Sequence, residues 1–192
     1  IYTLSLHDAL PIFGRVVVHD AQKVETGGRR FGNGEARIER IELLGETGKP
    51  TRLVRVGDQV TIRMHYRADK PIKGAVFGTS IETRDGLFAW GIHGLDAGFV
   101  PQVLPKGEGY VDVLIPRMML RPNHYLLSAS IQPLHLTTVI DALQKATSFE
   151  IITSPLMESG GIVALGAQFT QITPAMPMID VPTRQASPVE AD

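Results

Sequence analysis

VTIRMHYR, Val60 to Arg67, places Val60, Ile62, Met64 and Tyr66 on one side of the chain and Thr61, Arg63, His65 and Arg67 on the other. Successive side chains of a strand point to opposite faces, so this alternation predicts a half-buried strand with a dry face and a wet face. A helix cannot use the pattern, because a period of two spreads apolar groups right round its cylinder. Gly57-Asp58 before the stretch and Asp69-Lys70-Pro71 after it are turn signals that bound the strand.

The same grammar continues in both directions. Ala36 to Leu44 carries apolar residues at Ile38, Ile41 and Leu43, a spacing that slips from three to two and predicts a bulged strand. Thr51 to Val56 is a short strand after the Gly45 to Pro50 turn. Ala75 to Glu82 turns Ala75, Phe77, Thr79 and Ile81 to one face, and Arg84-Asp85-Gly86 leads it into Leu87 to Gly91 as a hairpin. His93 to Pro105 reads as a long loop. Tyr110 to Ile115 buries Val111, Val113 and Ile115, and His124 to Gln132 buries Tyr125, Leu127, Ala129 and Ile131. Leu136 to Ala146 is the one stretch expected to be helical. Ser148 to Ile152 and Gly161 to Thr170 are the last expected strands. About nine short strands separated by turns predict an all-β antiparallel sandwich, and the lack of strands alternating with long helices argues against a doubly wound α/β fold.

The domain is expected over residues 29–172. Residues 1–28 read as a linker, within which Ile1 to Ile12 looks like translated sequencing-adapter sequence. Since Ile1 is not a start residue, the chain is expected to begin mid-protein. Residues 173–192, rich in proline and without periodicity, are expected to be a disordered tail. Of 192 residues 43% are hydrophobic, enough to build a core, and the net charge of −1 implies no basic surface for nucleic acid. With no cysteine, disulfides and thiol catalysis are excluded, and the composition is compatible with the cytoplasm. No apolar run approaches the ~20 residues that span a bilayer.

Chemical motifs are scarce. Gly45-Glu46-Thr47-Gly48-Lys49-Pro50-Thr51 lacks the spacing and the hydroxyl residue of a phosphate-binding loop and reads as a turn. Gly32-Asn33-Gly34 has neither the third glycine nor the preceding strand of a dinucleotide site. His93, His124 and His135 show no metal-ligand spacing, and no cofactor is implied. Glu82, Asp85, Asp96 and Asp112 supply an acid/base pair only if folding brings two of them into one cleft. Trp90, the single tryptophan, reads either as core packing or as a flat ring on which a sugar face stacks. Arg63, His65 and Arg67, with Asn123, read either as a solvated sheet face or as hydrogen-bonding partners for sugar hydroxyls.

Several stretches carry a family resemblance. Arg30-Phe31-Gly32-Asn33-Gly34-Glu35-Ala36-Arg37-Ile38, Leu43-Leu44, Gly48-Lys49-Pro50 and Gly57 before a strand are followed by Phe77-Gly78-Thr79-Ser80-Ile81, Asp85-Gly86 and Gly91. Tyr125-Leu126-Leu127-Ser128 and Ser148-Phe149-Glu150-Ile151 come later. Together, over Arg29 to Thr170, they resemble the C-terminal domain of Wzt proteins, the ATP-hydrolysing subunits of ABC exporters for O-antigen and related polysaccharides. At Ile92-His93 the chain departs from the Asn-Thr pair of many relatives.

The resemblance implies an immunoglobulin-like sandwich of eight to nine strands that binds the exported glycan by its non-reducing end and performs no catalysis. It also implies a homodimer formed by exchange of the last strand, here Gly161, Ile162, Val163, Leu165 and Phe169. A membrane permease would be reached through an ATPase domain that this chain lacks, placing the protein in the cytoplasm at the inner membrane. On this reading the glycan site comprises Arg63, His65, Arg67, Trp90 and His93 in a shallow polar groove. Two other readings stand beside it: a dimerisation module without glycan contact, and a glycoside-processing enzyme.

Overall fold

In a computed structural model of the chain, which describes residues 22–23, 28–153 and 160–165, Val60–Ala68 is the middle strand of a three-stranded antiparallel sheet. The residues expected to be adapter-derived, the expected tail and Phe169 lie outside the described residues. In chain order the strands are β1 (Gln22–Lys23), β2 (Arg29–Phe31), β3 (Ala36–Leu44), β4 (Leu53–Arg55), β5 (Val60–Ala68), β6 (Ile72–Lys73), β7 (Ala75–Thr83), β8 (Phe88–His93), β9 (Val103–Leu104), β10 (Gly107–Ile115), β11 (Asn123–Pro133) and β12 (Asp141–Thr153). The small sheet runs β10-β5-β3. The large one runs β1-β2-β12-β11-β7-β8, with β4 joined in parallel to the far end of β12. β6 and β9 form a separate two-stranded ribbon inside the stretch expected to contain only loop after His93.

The dry face of β5 behaves as its alternation requires. Val60, Ile62, Met64 and Tyr66 are buried, and they pack with Ile81, Tyr125, Leu127, Ile131 and Ile151 of the large sheet in one continuous core. Two sheets joined in this way make a sandwich, because each can bury its apolar face only against the other. Tyr125 adds an immunoglobulin-like feature: its hydroxyl donates to the Arg121 carbonyl, 2.7 Å away and four residues back, the corner that such sandwiches place at the start of a strand. The Tyr66 ring lies against Gly109 of β10, where a Cβ would stand 2.5 Å from its hydroxyl.

The two sheets are also tied by a charged pair. The register of β3 against β5 shifts between Ile38 and Arg40, so the expected bulge is present, with Glu39 as the extra residue. Beside it, the Ile38 amide donates to Asp141 Oδ2 at 2.7 Å and the Ile38 carbonyl accepts from Arg30 at 3.2 Å. Arg30 grips both oxygens of Asp141 at 3.0 and 2.8 Å. Arg30 and Asp141 belong to the large sheet and Ile38 to the small one, so both backbone groups of Ile38 are satisfied from across the sandwich.

Two expectations are corrected. Among the described residues twelve strand segments stand where eight or nine are expected, because several pieces of two or three residues have no periodicity to read. The helix expected over Leu136 to Ala146 is absent: Leu136 sits in a turn at φ 52° and the chain then enters β12. Val139, Ile140, Ala142 and Leu143 imitate a helical stripe, but Ala142 and Leu143 pair with β11 and β2, and the backbone of Val139 and Ile140 just before β12 bonds to Asn33, Gly34 and Ile131. A bulge then re-phases the strand: Leu143 faces Ala129, Thr147 faces Leu127, and Lys145 between them has φ 50°. Among the described residues no segment is helical, and no helix is long and apolar enough to cross a membrane.

Burial pushes the Asp141 carboxyl above its ordinary value, against the pull of Arg30 and the Ile38 amide. The folded chain therefore keeps this proton at a pH where the unfolded chain has lost it. The group's contribution to stability is full below the unfolded value and is lost as pH rises through the folded one. Urea unfolding is expected to show Asp141→Ala destabilised by about 3 kcal/mol, the cost of leaving Arg30 without its partner. Measured against Asp141→Asn, the natural chain is expected to lose relative stability as pH rises above the ordinary carboxylate range.

Candidate functional site

The outer face of the small sheet is set by the register of its three strands. Across it, Glu42, Arg63 and Asp112 form one row, Arg40, His65 and Tyr110 the next, and Arg37, Arg67 and Glu108 a third. Each row takes its residues from the polar side of an alternating strand, so the dry faces beneath hold them in position. Arg63 donates to both oxygens of Asp112 at 2.8 and 2.7 Å, and its guanidinium carbon lies 4.1 Å from the centre of the Tyr110 ring. His65 Nε2 and Glu42 Oε2 share a hydrogen bond of 2.5 Å, and Arg40 stands 3.5 Å from the same oxygen. The His65 and Tyr110 rings are tilted at 52° with centroids 6.0 Å apart.

These contacts hold charged groups in place. The hydrogen bond from His65 keeps the Glu42 carboxyl below its ordinary value, and the bidentate Asp112 raises Arg63. Tyr110 is 56% exposed, so an aromatic ring stands in solvent with Arg63 and His65 beside it. An exposed ring ringed by guanidinium, imidazole and carboxylate groups offers an apolar plate with donors and acceptors around it.

The structure brings Arg63, His65 and Arg67 together on this face and places Trp90 and His93 in the other sheet. Trp90, on β8, is half-buried and lines an apolar cavity of about 180 Å³ with Ile81, Ile115, Met118, Leu120 and Val163. Register pairs Trp90 with the fully buried Ile81, and Trp90 packs against the core. His93 is engaged in the turn after β8: Asp96 accepts from its amide at 3.2 Å, and its Nδ1 accepts from the Asp96 amide at 3.3 Å. Tyr110 and Glu42, which the sequence motifs do not single out, stand on this face too, as does Asp112, one of the candidate acids. The signal for Tyr110 and Asp112 was available, since burying Val111, Val113 and Ile115 turns their neighbours outward. The candidate acids are dispersed: Glu82 on β7, Asp85 in the β7–β8 turn, Asp96 after β8 and Asp112 on β10.

The sequence profile of the Wzt C-terminal domain matches residues 28–165. The chain belongs to the Wzt C-terminal domain family. Membership makes it a domain of the polysaccharide ABC exporters. A crystal structure of the C-terminal domain of wzt is similar, with a TM-score of 0.66 and 20% identity over 76% of this chain and 89% of that one, and this establishes the shared fold. A CARDB domain from Pyrococcus furiosus, solved with di-metal ions, reaches a TM-score of 0.35 at 11% identity over 59% of this chain and 92% of that one. No curated protein matches.

In this Wzt domain, Gly161, Ile162, Val163 and Leu165 follow the end of the sandwich. Val163 bridges to Leu120 of the same chain, the Arg121 amide donates to Ile162 O at 2.9 Å, and the Ala164 amide donates to Met119 O at 2.8 Å. Among the described residues no cluster of three or more histidine, aspartate or glutamate side chains is placed to hold a metal ion.

The outer face makes a direct prediction about titration. Replacing His65 by alanine removes the main cause of the low Glu42 value. Carboxyl-carbon NMR is expected to show Glu42 titrating upward, towards the ordinary glutamate range, while Asp141 keeps its value.

Proposed function

We propose that this domain recognises the exported polysaccharide on the outer face of its small sheet, with Tyr110 as the stacking surface and Arg63, His65, Arg67, Glu42 and Asp112 as hydrogen-bonding partners. The observation that carries the reading is Tyr110: a large aromatic ring, 56% exposed and flanked by Arg63 at 4.1 Å, in a family of exporter domains. A sugar presents an apolar C–H face that covers such a ring, and hydroxyls that exchange water for the surrounding charged groups. The face is open, so affinity is modest and the role is to hold a finished chain by its non-reducing end while transport begins. Trp90 and His93 are left out of this site, since the first lines the apolar pocket beside β8 and the second caps a turn.

The domain performs no chemistry on the glycan. Its proposed setting is the cytoplasm at the inner membrane, where the exporter's ATPase domain links it to the permease. Its proposed extent is residues 29–172, between an N-terminal linker and a C-terminal tail. We also propose that it works as a homodimer in which Gly161, Ile162, Val163, Leu165 and Phe169 pass to a second copy. Leu165 is 80% exposed and Val163 37%, so a partner sheet would bury apolar surface that stands in water in a single copy.

An array of bacterial oligosaccharides tests the first proposal. Retention of a defined glycan is expected, and Tyr110→Ala is expected to weaken it by about tenfold, the order of one lost stacking contact, with unfolding unchanged. Retention of none would remove the reading. Sedimentation tests the second: a dimer is expected, and removal of residues after Thr153 is expected to yield a monomer that keeps its β-rich circular dichroism spectrum.

A further inference from the structure

The third row of the outer face carries a feature that neutral sugars do not explain. Arg37 of β3 and Arg67 of β5 are directly paired in register, and both are exposed. Like charges opposite each other on neighbouring strands repel, and a sheet normally separates them or sets a carboxylate between them. Neither guanidinium has an ion-pair partner among the described residues. Glu35 is taken by Lys70 at 3.4 Å, Glu42 by His65 and Arg40, and Asp112 by Arg63. Glu108 lies across from Arg67 on β10 without pairing to it, and Arg37 exerts only a Coulomb pull on the buried Asp141.

The position of the pair matters as much as its charge. Tyr110 and His65 occupy the adjacent row. Rows on one face of a strand are spaced by about 7 Å, so a substituent of a sugar stacked on Tyr110, or the next sugar of the chain, reaches the two arginines. Arg40, 60% exposed, adds a third guanidinium beside them. Arginine forks match the two oxygens of a carboxylate or phosphate, and an anion between Arg37 and Arg67 would relieve their repulsion while forming charge-assisted hydrogen bonds.

We infer that Arg37 and Arg67 form an anion subsite, and that the glycan bound beside Tyr110 is acidic, bearing a carboxylate or phosphate substituent. This rests on the glycan-binding reading above and narrows it from any polysaccharide to an anionic one. Affinity therefore falls as salt rises, because exposed charges are screened over about 10 Å at 0.1 M ionic strength. Arg37 and Arg67 act as specificity residues: a neutral sugar gains nothing from them.

The test compares the natural chain with the Arg37→Gln, Arg67→Gln double variant on an array carrying neutral, uronate-bearing and phosphate-bearing oligosaccharides. Lys49→Gln, in the turn that follows β3, controls for loss of a positive charge away from the pair. Retention of acidic oligosaccharides, reduced at least about tenfold in the double variant and unchanged in Lys49→Gln, is the expected result, since one lost charge-assisted hydrogen bond accounts for that ratio. Competition by free glucuronate or by inorganic phosphate then assigns the anion. Retention of acidic oligosaccharides undiminished in the double variant, or retention of neutral oligosaccharides alone, would overturn the anion subsite and leave glycan binding standing. Retention of no oligosaccharide of either kind would overturn both.

Discussion

One buried carboxylate holds the two layers in their relation. Asp141 is 3% exposed and accepts from Arg30 in its own sheet and from the Ile38 amide in the other. The bulge beside Ile38 breaks the β3–β5 register, and a free backbone amide at that depth has no water to turn to. The Arg30–Asp141 pair satisfies it and the neighbouring carbonyl together. Hydrophobic contact alone would let the sheets slide, since apolar burial is non-directional. A charged pair bonded to one particular peptide admits one arrangement.

That arrangement sets the register of the small sheet and so the composition of its outer face. Past the bulge, Glu42 falls opposite Arg63, Arg40 opposite His65, and Arg37 opposite Arg67 before it. A shift by one residue would turn each of these inward and put Ile38 and Leu43 into solvent. The link between fold and proposed function is therefore short: the pair orients β3, β3 and β10 flank β5, and the three together present an exposed ring among opposed charges. The ring's surroundings are mostly self-neutralised at Glu42, Arg63 and Asp112 and are left positive at Arg37 and Arg67.

Much of this was legible in the chain itself. The alternation in Val60 to Arg67 predicted the strand, its buried face and its wet face, and the slip at Ile38 to Ile41 predicted the bulge. Turn residues at Asp85-Gly86 predicted the β7–β8 hairpin. The failures have one physical origin. Val139 to Leu143 carries a spacing that suits a helix or a bulged strand, and only partners distant in sequence, β11 and β2, decide between them. Chemical suitability for sugars groups Trp90 and His93 with Arg63 and His65, but which sheet each joins is not written in any one strand, and β8 lies in the other sheet.

By itself the sequence determined which side of each long strand would be dry, since period-two patterning and side-chain geometry are local. It determined the β-rich class, and through its glycine and turn motifs the family. Which wet faces lie side by side was decided only in three dimensions. Tyr110 meets His65 and Arg63, and Arg37 meets Arg67, through pairing between strands 30 to 50 residues apart in the chain. Strand pairing is chosen by the whole core at once, and no short stretch contains that information.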